Sequence, residues 1–283
     1  MRDIIVTLII TGTLPFILRS PFFGIIVWSW ISYMNPHKMC WGFAYDMPFA
    51  QIVGIFLIAS VILNSSEKKK IPANALIPVW LFFIAWLAFC AFLAIYQELA
   101  IEQLEKVVKI QVVTFITVLI MHTKERVNQL IWVIVFSIGY FSLKGGVFTI
   151  LSGGGFHVLG PDSSEIHENN ALGVAILMII PLMVYIYRYP PHPLVKTGMP
   201  YVIFFSVVAV AGTQSRGALV AVSAVGGYFW WRSKSKALTG LALIFLAVIT
   251  LIIMPKSWTD RMKTITNYET DSSAMERITA WEY

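Results

Sequence analysis

Residues 201–231 read YVIFFSVVAVAGTQSRGALVAVSAVGGYFWW. Tyr201 to Ala211 and Ala218 to Trp231 are apolar, each long enough to be most of a membrane helix. Between them stands Thr213-Gln214-Ser215-Arg216-Gly217, with almost no polar loop around it. A guanidinium at or near hydrocarbon depth is costly unless it faces a cavity or meets an anion. Gln214, Ser215 and Gly217 mark a helix break, so Arg216 either snorkels to lipid headgroups or opens the second helix. In the second case its side chain and the free N–H groups of the helix start point together at an anion. The planar fork of arginine matches phosphate oxygens, so the expected anion is a lipid-linked phosphate.

The rest of the chain agrees that the solvent is a bilayer. Of 283 residues, 58% are hydrophobic and only 13% charged, and the mean hydropathy is +0.74. A soluble domain would carry about a quarter charged residues. The fold class expected is therefore all-α, a polytopic integral membrane protein. Ten apolar segments can be drawn, at 4–18, 21–34, 48–64, 75–97, 107–122, 127–150, 170–187, 199–213, 217–231 and 237–254. The first two, separated only by Arg19-Ser20, read as a tight hairpin.

Loop charges give these segments a direction. Arg19, Lys68-Lys69-Lys70, Lys124 with Arg126, Arg188 with Lys196, and Arg232, Lys234 and Lys236 fall in every second connection. The intervening ones hold Glu98, Glu102 and Glu105, then Asp162, Glu165 and Glu168. The positive-inside rule puts the first set in the cytoplasm, so Arg216, loop 151–169 and the tail after Met254 face the other side. The net charge of +6 is thus an orienting charge rather than a nucleic-acid surface. Cys40 and Cys90 offer neither a disulfide framework nor metal-ligand spacing. Trp28, Trp30, Trp41, Trp230 and Trp231 fit aromatic belts.

Several polar groups remain. Arg277 lies four residues before Trp281, on one helical face, and shares the side of Arg216. Two guanidiniums together can hold a pyrophosphate and neutralise the charge that develops as it leaves. His167-Glu168-Asn169-Asn170 precedes the seventh segment. It is either a helix start, with Asn169 or Asn170 as cap, or a hydrogen-bonding wall for sugar hydroxyls with His167 as a proton acceptor. Gln214 and Trp281 are further candidates for the substrate. Gly153-Gly154-Gly155 follows no strand and lacks a P-loop lysine, so it reads as flexible loop. Lys144 lies inside an apolar segment, reaching an interface or pairing internally.

With these residues in hand, the chain resembles the O-antigen ligase and polymerase superfamily of bacterial envelopes, and within it the O-glycosylation ligases associated with exosortase systems. Ser32-Tyr33-Met34-Asn35-Pro36-His37 with Trp41-Gly42-Phe43-Ala44-Tyr45 is similar to the opening of that subfamily. Gly160-Pro161-Asp162-Ser163 and Glu168-Asn169-Asn170-Ala171-Leu172-Gly173 resemble its middle loop. Thr213 to Ala218 and Arg277 to Trp281 resemble the ligase core.

The resemblance implies a GT-C-like helical fold and transfer of a glycan from undecaprenyl pyrophosphate to an acceptor hydroxyl on a lipid, protein or exopolysaccharide. It implies a multi-pass protein of the bacterial inner membrane, working on the periplasmic face among membrane lipids, without metal, cofactor or nucleic acid. Arg216 and Arg277 match the family's pyrophosphate-binding arginines. The family's histidine motif lies beyond the second arginine, so the expectation is a sequence that stops inside the large periplasmic loop, before that histidine and the last helices, either as a fragment of a longer chain or as a truncated, inactive protein. The domains expected are amino-terminal membrane helices at 1–150, an extracytoplasmic loop at 151–169, ligase-core helices at 170–254 and the start of the large loop at 255–283. The rival class is a transporter or flippase of lipid-linked or small anions, which Lys144 fits better than it fits a ligase. A scaffolding membrane subunit is the third.

Overall fold

The computed structural model describes residues 1–64, 76–263 and 272–282. The lysine run Lys68-Lys69-Lys70 and the side chains of Arg261, Lys263 and Arg277 lie outside the described residues. Among those described the chain is all helix and turn, with no strand. It divides into two compact units, Met1–Val133 and Ile134–Tyr283.

The first unit holds α1 (Arg2–Arg19), α2 (Pro21–Met34), α3 (Phe49–Leu63), α4 (Leu76–Phe92) and α5 (Gln97–Ile120), with two 3-10 turns at Pro36–Met39 and Phe43–Asp46. The α1–α2 hairpin turns on one residue. Ser20 is extended, as a residue before proline prefers, and its Oγ accepts a bond from the N–H of Phe23 at 3.4 Å. Arg19 belongs to the last turn of α1 rather than to a loop. Asn64, just past α3, donates its amide to the carbonyl of Leu18 at 2.8 Å. α2 ends at Asn35, which takes the left-handed conformation (φ 46°) before Pro36. Asp3 ties the start of α1 to the second 3-10 turn, accepting from the N–H groups of Gly42 (3.0 Å) and Ala44 (3.2 Å). The core between α1, α2, α3 and α5 is apolar, built on Ile10, Ile17, Ile25, Phe49, Leu57 and Ile120.

His37 is the exception in that core. Its ring is 7% exposed and meets Phe49 edge to face, and its Nδ1 has no hydrogen-bond partner in the described structure. Burial, with Lys38 adding to it, pushes its pKa down to about 4.

The acidic stretch read as a loop at 98–105 is instead the first half of α5. Gln97 to Lys109 is rich in strong helix formers, and Glu102–Lys106 and Glu105–Lys109 pair one turn apart on its exposed side.

The second unit takes up α6 (Lys124–Leu151) from Ile134 onward. Then follow α7 (Asn169–Arg188), α8 (Pro193–Gly212), α9 (Arg216–Arg232), α10 (Lys236–Ile253), α11 (Lys256–Lys263) and α12 (Ser272–Glu282). Small residues line the buried face of α6. Ser142 bonds Ser206 of α8 at 2.8 Å, and Gly146 lies so close to the carbonyl of Phe205 that a Cβ there would collide with it. Such residues let apolar helices approach where lipid and side chain are equally oily.

Each of the ten apolar segments is thus a helix. Four of them, α6, α7, α8 and α10, are long and apolar enough to cross a membrane by length and composition, while α2, α3 and α4 are apolar but shorter.

Candidate functional site

α8 stops at Gly212 and α9 starts at Arg216, and the three residues between them carry the local chemistry. Thr213 is fully buried, and its hydroxyl bonds back to the carbonyl of Val210 at 2.6 Å. Gln214 takes a left-handed conformation (φ 52°), unusual for a residue with a Cβ. Ser215 is the N-cap of α9, its Oγ accepting from the N–H of Ala218 at 3.1 Å. Arg216 is therefore the first residue of α9, half-buried, and the first turn of that helix contains no acid. A cation at this end of a helix opposes the macrodipole, whereas an anion there is favoured by it. The helix-opening expectation for Arg216 holds.

The carbonyl end of α8 is satisfied by three other elements. The indole N–H of Trp258 (α11) donates to Ala211 at 3.1 Å. The backbone N–H of Val158 donates to Gly212 at 2.9 Å. Asn169 donates its amide to the carbonyl of Thr213 at 2.9 Å, and His157 Nδ1 lies 3.3 Å from that oxygen. On the other side, the Gln214 amide donates to Gly154 at 3.0 Å. Loop 152–168 and the break at 213–215 are therefore one structure.

Two expectations change here. Gly153-Gly154-Gly155 is not flexible loop; it terminates α6. Gly153 (φ 58°) and Gly154 (φ 70°) are left-handed, and their N–H groups bond the carbonyls of Ile150 and Thr149, which is a Schellman cap. Nor does Asn169 or Asn170 cap α7. Glu168 occupies the N-cap position without a side-chain cap bond, Asn170 is exposed, and Asn169 reaches across to Thr213 instead.

Of the other candidates, His167 is half-exposed and its Nδ1 lies 3.2 Å from Asp162 Oδ1. The motif around it is tight: Gly160 donates to the carbonyl of His167 at 3.0 Å, and any Cβ on Gly160 would run into Ile166. Arg277 and Trp281 both belong to α12, with Trp281 exposed. Lys144 sits on the exposed side of α6, away from its packed face. No group of three or more His, Cys, Asp or Glu able to hold a metal occurs among the described residues. The sequence singled out neither His157 nor Trp258, and it named Gly154 only as part of a flexible loop. Each meets the α8–α9 break through a contact distant in sequence, which no local pattern records.

Helices this long and apolar point to a membrane protein. Residues 201–283 match the family described as O-Antigen ligase, which points to glycan transfer of the ligase or polymerase kind. Residues 1–190 match the family of unknown function DUF5935, and the chain belongs to that family. Neither the curated proteins nor the solved structures yield a match.

Proposed function

We propose that this protein transfers a glycan from undecaprenyl pyrophosphate to an acceptor hydroxyl at the periplasmic face of the bacterial inner membrane. All ten apolar helices then cross the bilayer, with the basic connections in the cytoplasm. The observation that carries this is Arg216: a guanidinium at the first position of a helix, inside the region that matches O-antigen ligase. It presents a charged fork and helix-end N–H groups to one anion. Arg277 is the second ligand of the pyrophosphate. The acceptor oxygen attacks the anomeric carbon and the bond from that carbon to the diphosphate oxygen breaks. The lipid pyrophosphate leaves with the electron pair, and the acceptor proton passes to a base. Direct displacement inverts the anomeric centre. His167, Glu168, Asn170 and Trp281 are the side chains available to the sugar. The acceptor class is that of O-glycosylation or polysaccharide ligases associated with exosortase systems.

The test is transfer from a labelled lipid-pyrophosphate glycan by the full-length protein in membranes. Arg216→Ala and Arg277→Ala lose transfer, and Arg→Lys at either position impairs it because bidentate geometry is lost. Wild-type rates in both alanine variants overturn the proposal.

A further inference from the structure

Two polar side chains that the sequence offers to the substrate spend their amides on backbone carbonyls. Gln214, two residues before Arg216, holds a left-handed backbone and donates to Gly154 at 3.0 Å. Asn169 donates to the carbonyl of Thr213 at 2.9 Å, with His157 Nδ1 3.3 Å from the same oxygen. Beneath them α7 and α9 touch closely: a Cβ on Gly173 would lie 2.9 Å from Ala218 Cβ and 3.3 Å from Thr213 Oγ1. The backbone just ahead of Arg216 is thus fixed from two sides. An arginine grips a phosphate bidentately only when its Cα–Cβ bond points correctly, and that direction is set by residues 213–215. A loose break would let the long side chain sample many directions, at an entropic cost on every binding event.

We infer that Gln214 and Asn169 are positioning residues, clamping the α8–α9 break so that Arg216 meets the donor pyrophosphate, and that they act through Arg216 rather than on the sugar. The inference rests on Arg216 being a pyrophosphate ligand, as proposed above.

The test is a pair of cycles in the full-length protein. Asn169→Ala and Gln214→Ala are each measured alone and combined with Arg216→Lys, reading the donor kcat/KM. Each alone lowers it about tenfold, as misplacement of a catalytic group does. In the Arg216→Lys background, where the fork is already gone, the further loss falls below about twofold. Equal losses in both backgrounds mean contact with the sugar and overturn the inference. A pH profile adds a second readout. Asn169→Asp recovers as pH falls, because a carboxylic acid can donate to Thr213 while a carboxylate repels it; Asn169→Ala does not recover. The absence of recovery also counts against the clamp. A third arm needs no transfer activity. In a Cys40→Ala, Cys90→Ala background, Arg216→Cys is alkylated by a water-soluble maleimide with and without Asn169→Ala. Loosening raises the rate at least about fivefold, and an unchanged rate overturns the clamp. If no transfer is detected at all but the alkylation rate rises, the clamp stands and the proposed activity falls.

Discussion

The break between α1 and α2 and the break between α8 and α9 use the same parts. Each has a serine N-cap, Ser20 in the first and Ser215 in the second, accepting a backbone N–H three residues on. Each has an asparagine from elsewhere in the fold on a carbonyl at the end of the earlier helix, Asn64 on Leu18 and Asn169 on Thr213. They differ in the side of the break that carries the arginine. Arg19 lies in the last turn of α1, where exposed carbonyls attract a cation. Arg216 lies in the first turn of α9, where N–H groups repel one. Local electrostatics accounts for the first placement. Helix electrostatics opposes the second, and the second break is the one inside the region that matches O-antigen ligase.

The strongest way to break this comparison is to remove each arginine. Arg216→Ala should lower the initial transfer rate about 100-fold or more, the usual effect of losing a donor to a developing anion. Arg19→Ala should change it by less than about twofold, with both assayed at equal protein content in membranes. Similar losses would mean that the position in the helix does not matter.

Next in size are the glycines at which helices touch. A methyl on Gly146 strikes the Phe205 backbone, whereas one on Gly24 meets the side chains of Ile17 and Leu57 at 2.9 Å, which can shift. Gly146→Ala should cost about 3 kcal/mol and Gly24→Ala about 1 kcal/mol in unfolding from detergent.

His37 gives the first unit a pH dependence of its own. Its folded pKa of about 4 lies below the ordinary 6.5, so its contribution is complete above pH 6.5 and is lost as pH falls towards 4. The gap corresponds to roughly 3 kcal/mol for this buried ring. Thermal unfolding of wild type and His37→Phe should diverge across that window, and parallel curves would remove His37 as the cause. The smallest effect sharpens the parallel between the breaks. Asn64→Ala should cost about 1 kcal/mol for the bond to Leu18 and leave transfer unchanged, unlike Asn169→Ala.

Much of this architecture is written locally. Pro21 and Asn35-Pro36 delimit α2 at the residues expected, because proline and its predecessor restrict the backbone wherever they occur. Arg216 was legible because a charge inside an apolar run stands out against composition alone. The acids at 98–105 look like a loop when charge is equated with loop, although helix formers with Glu–Lys pairs at one-turn spacing extend a helix beyond its apolar part. The glycines after Leu151 suggest flexibility in the sequence, whereas Gly153 and Gly154 serve the geometry of a left-handed cap. The clamp on the break was not legible at all: Asn169 and Thr213 are 44 positions apart, and Gln214 and Gly154 are 60. Nothing in a periodic pattern pairs them.

The indole of Trp258 on the carbonyl of Ala211 has a consequence for biosynthesis. The ribosome delivers Val158 and Asn169 before α8, but Trp258 only after α9 and α10 have been made. The end of α8 must therefore wait, with one of its partners still unsynthesised, while two more helices leave the tunnel. The helix break ahead of Arg216 reaches its final form late in translation, and a nascent chain arrested before Trp258 carries the arginine while the carbonyl of Ala211 still lacks its indole partner.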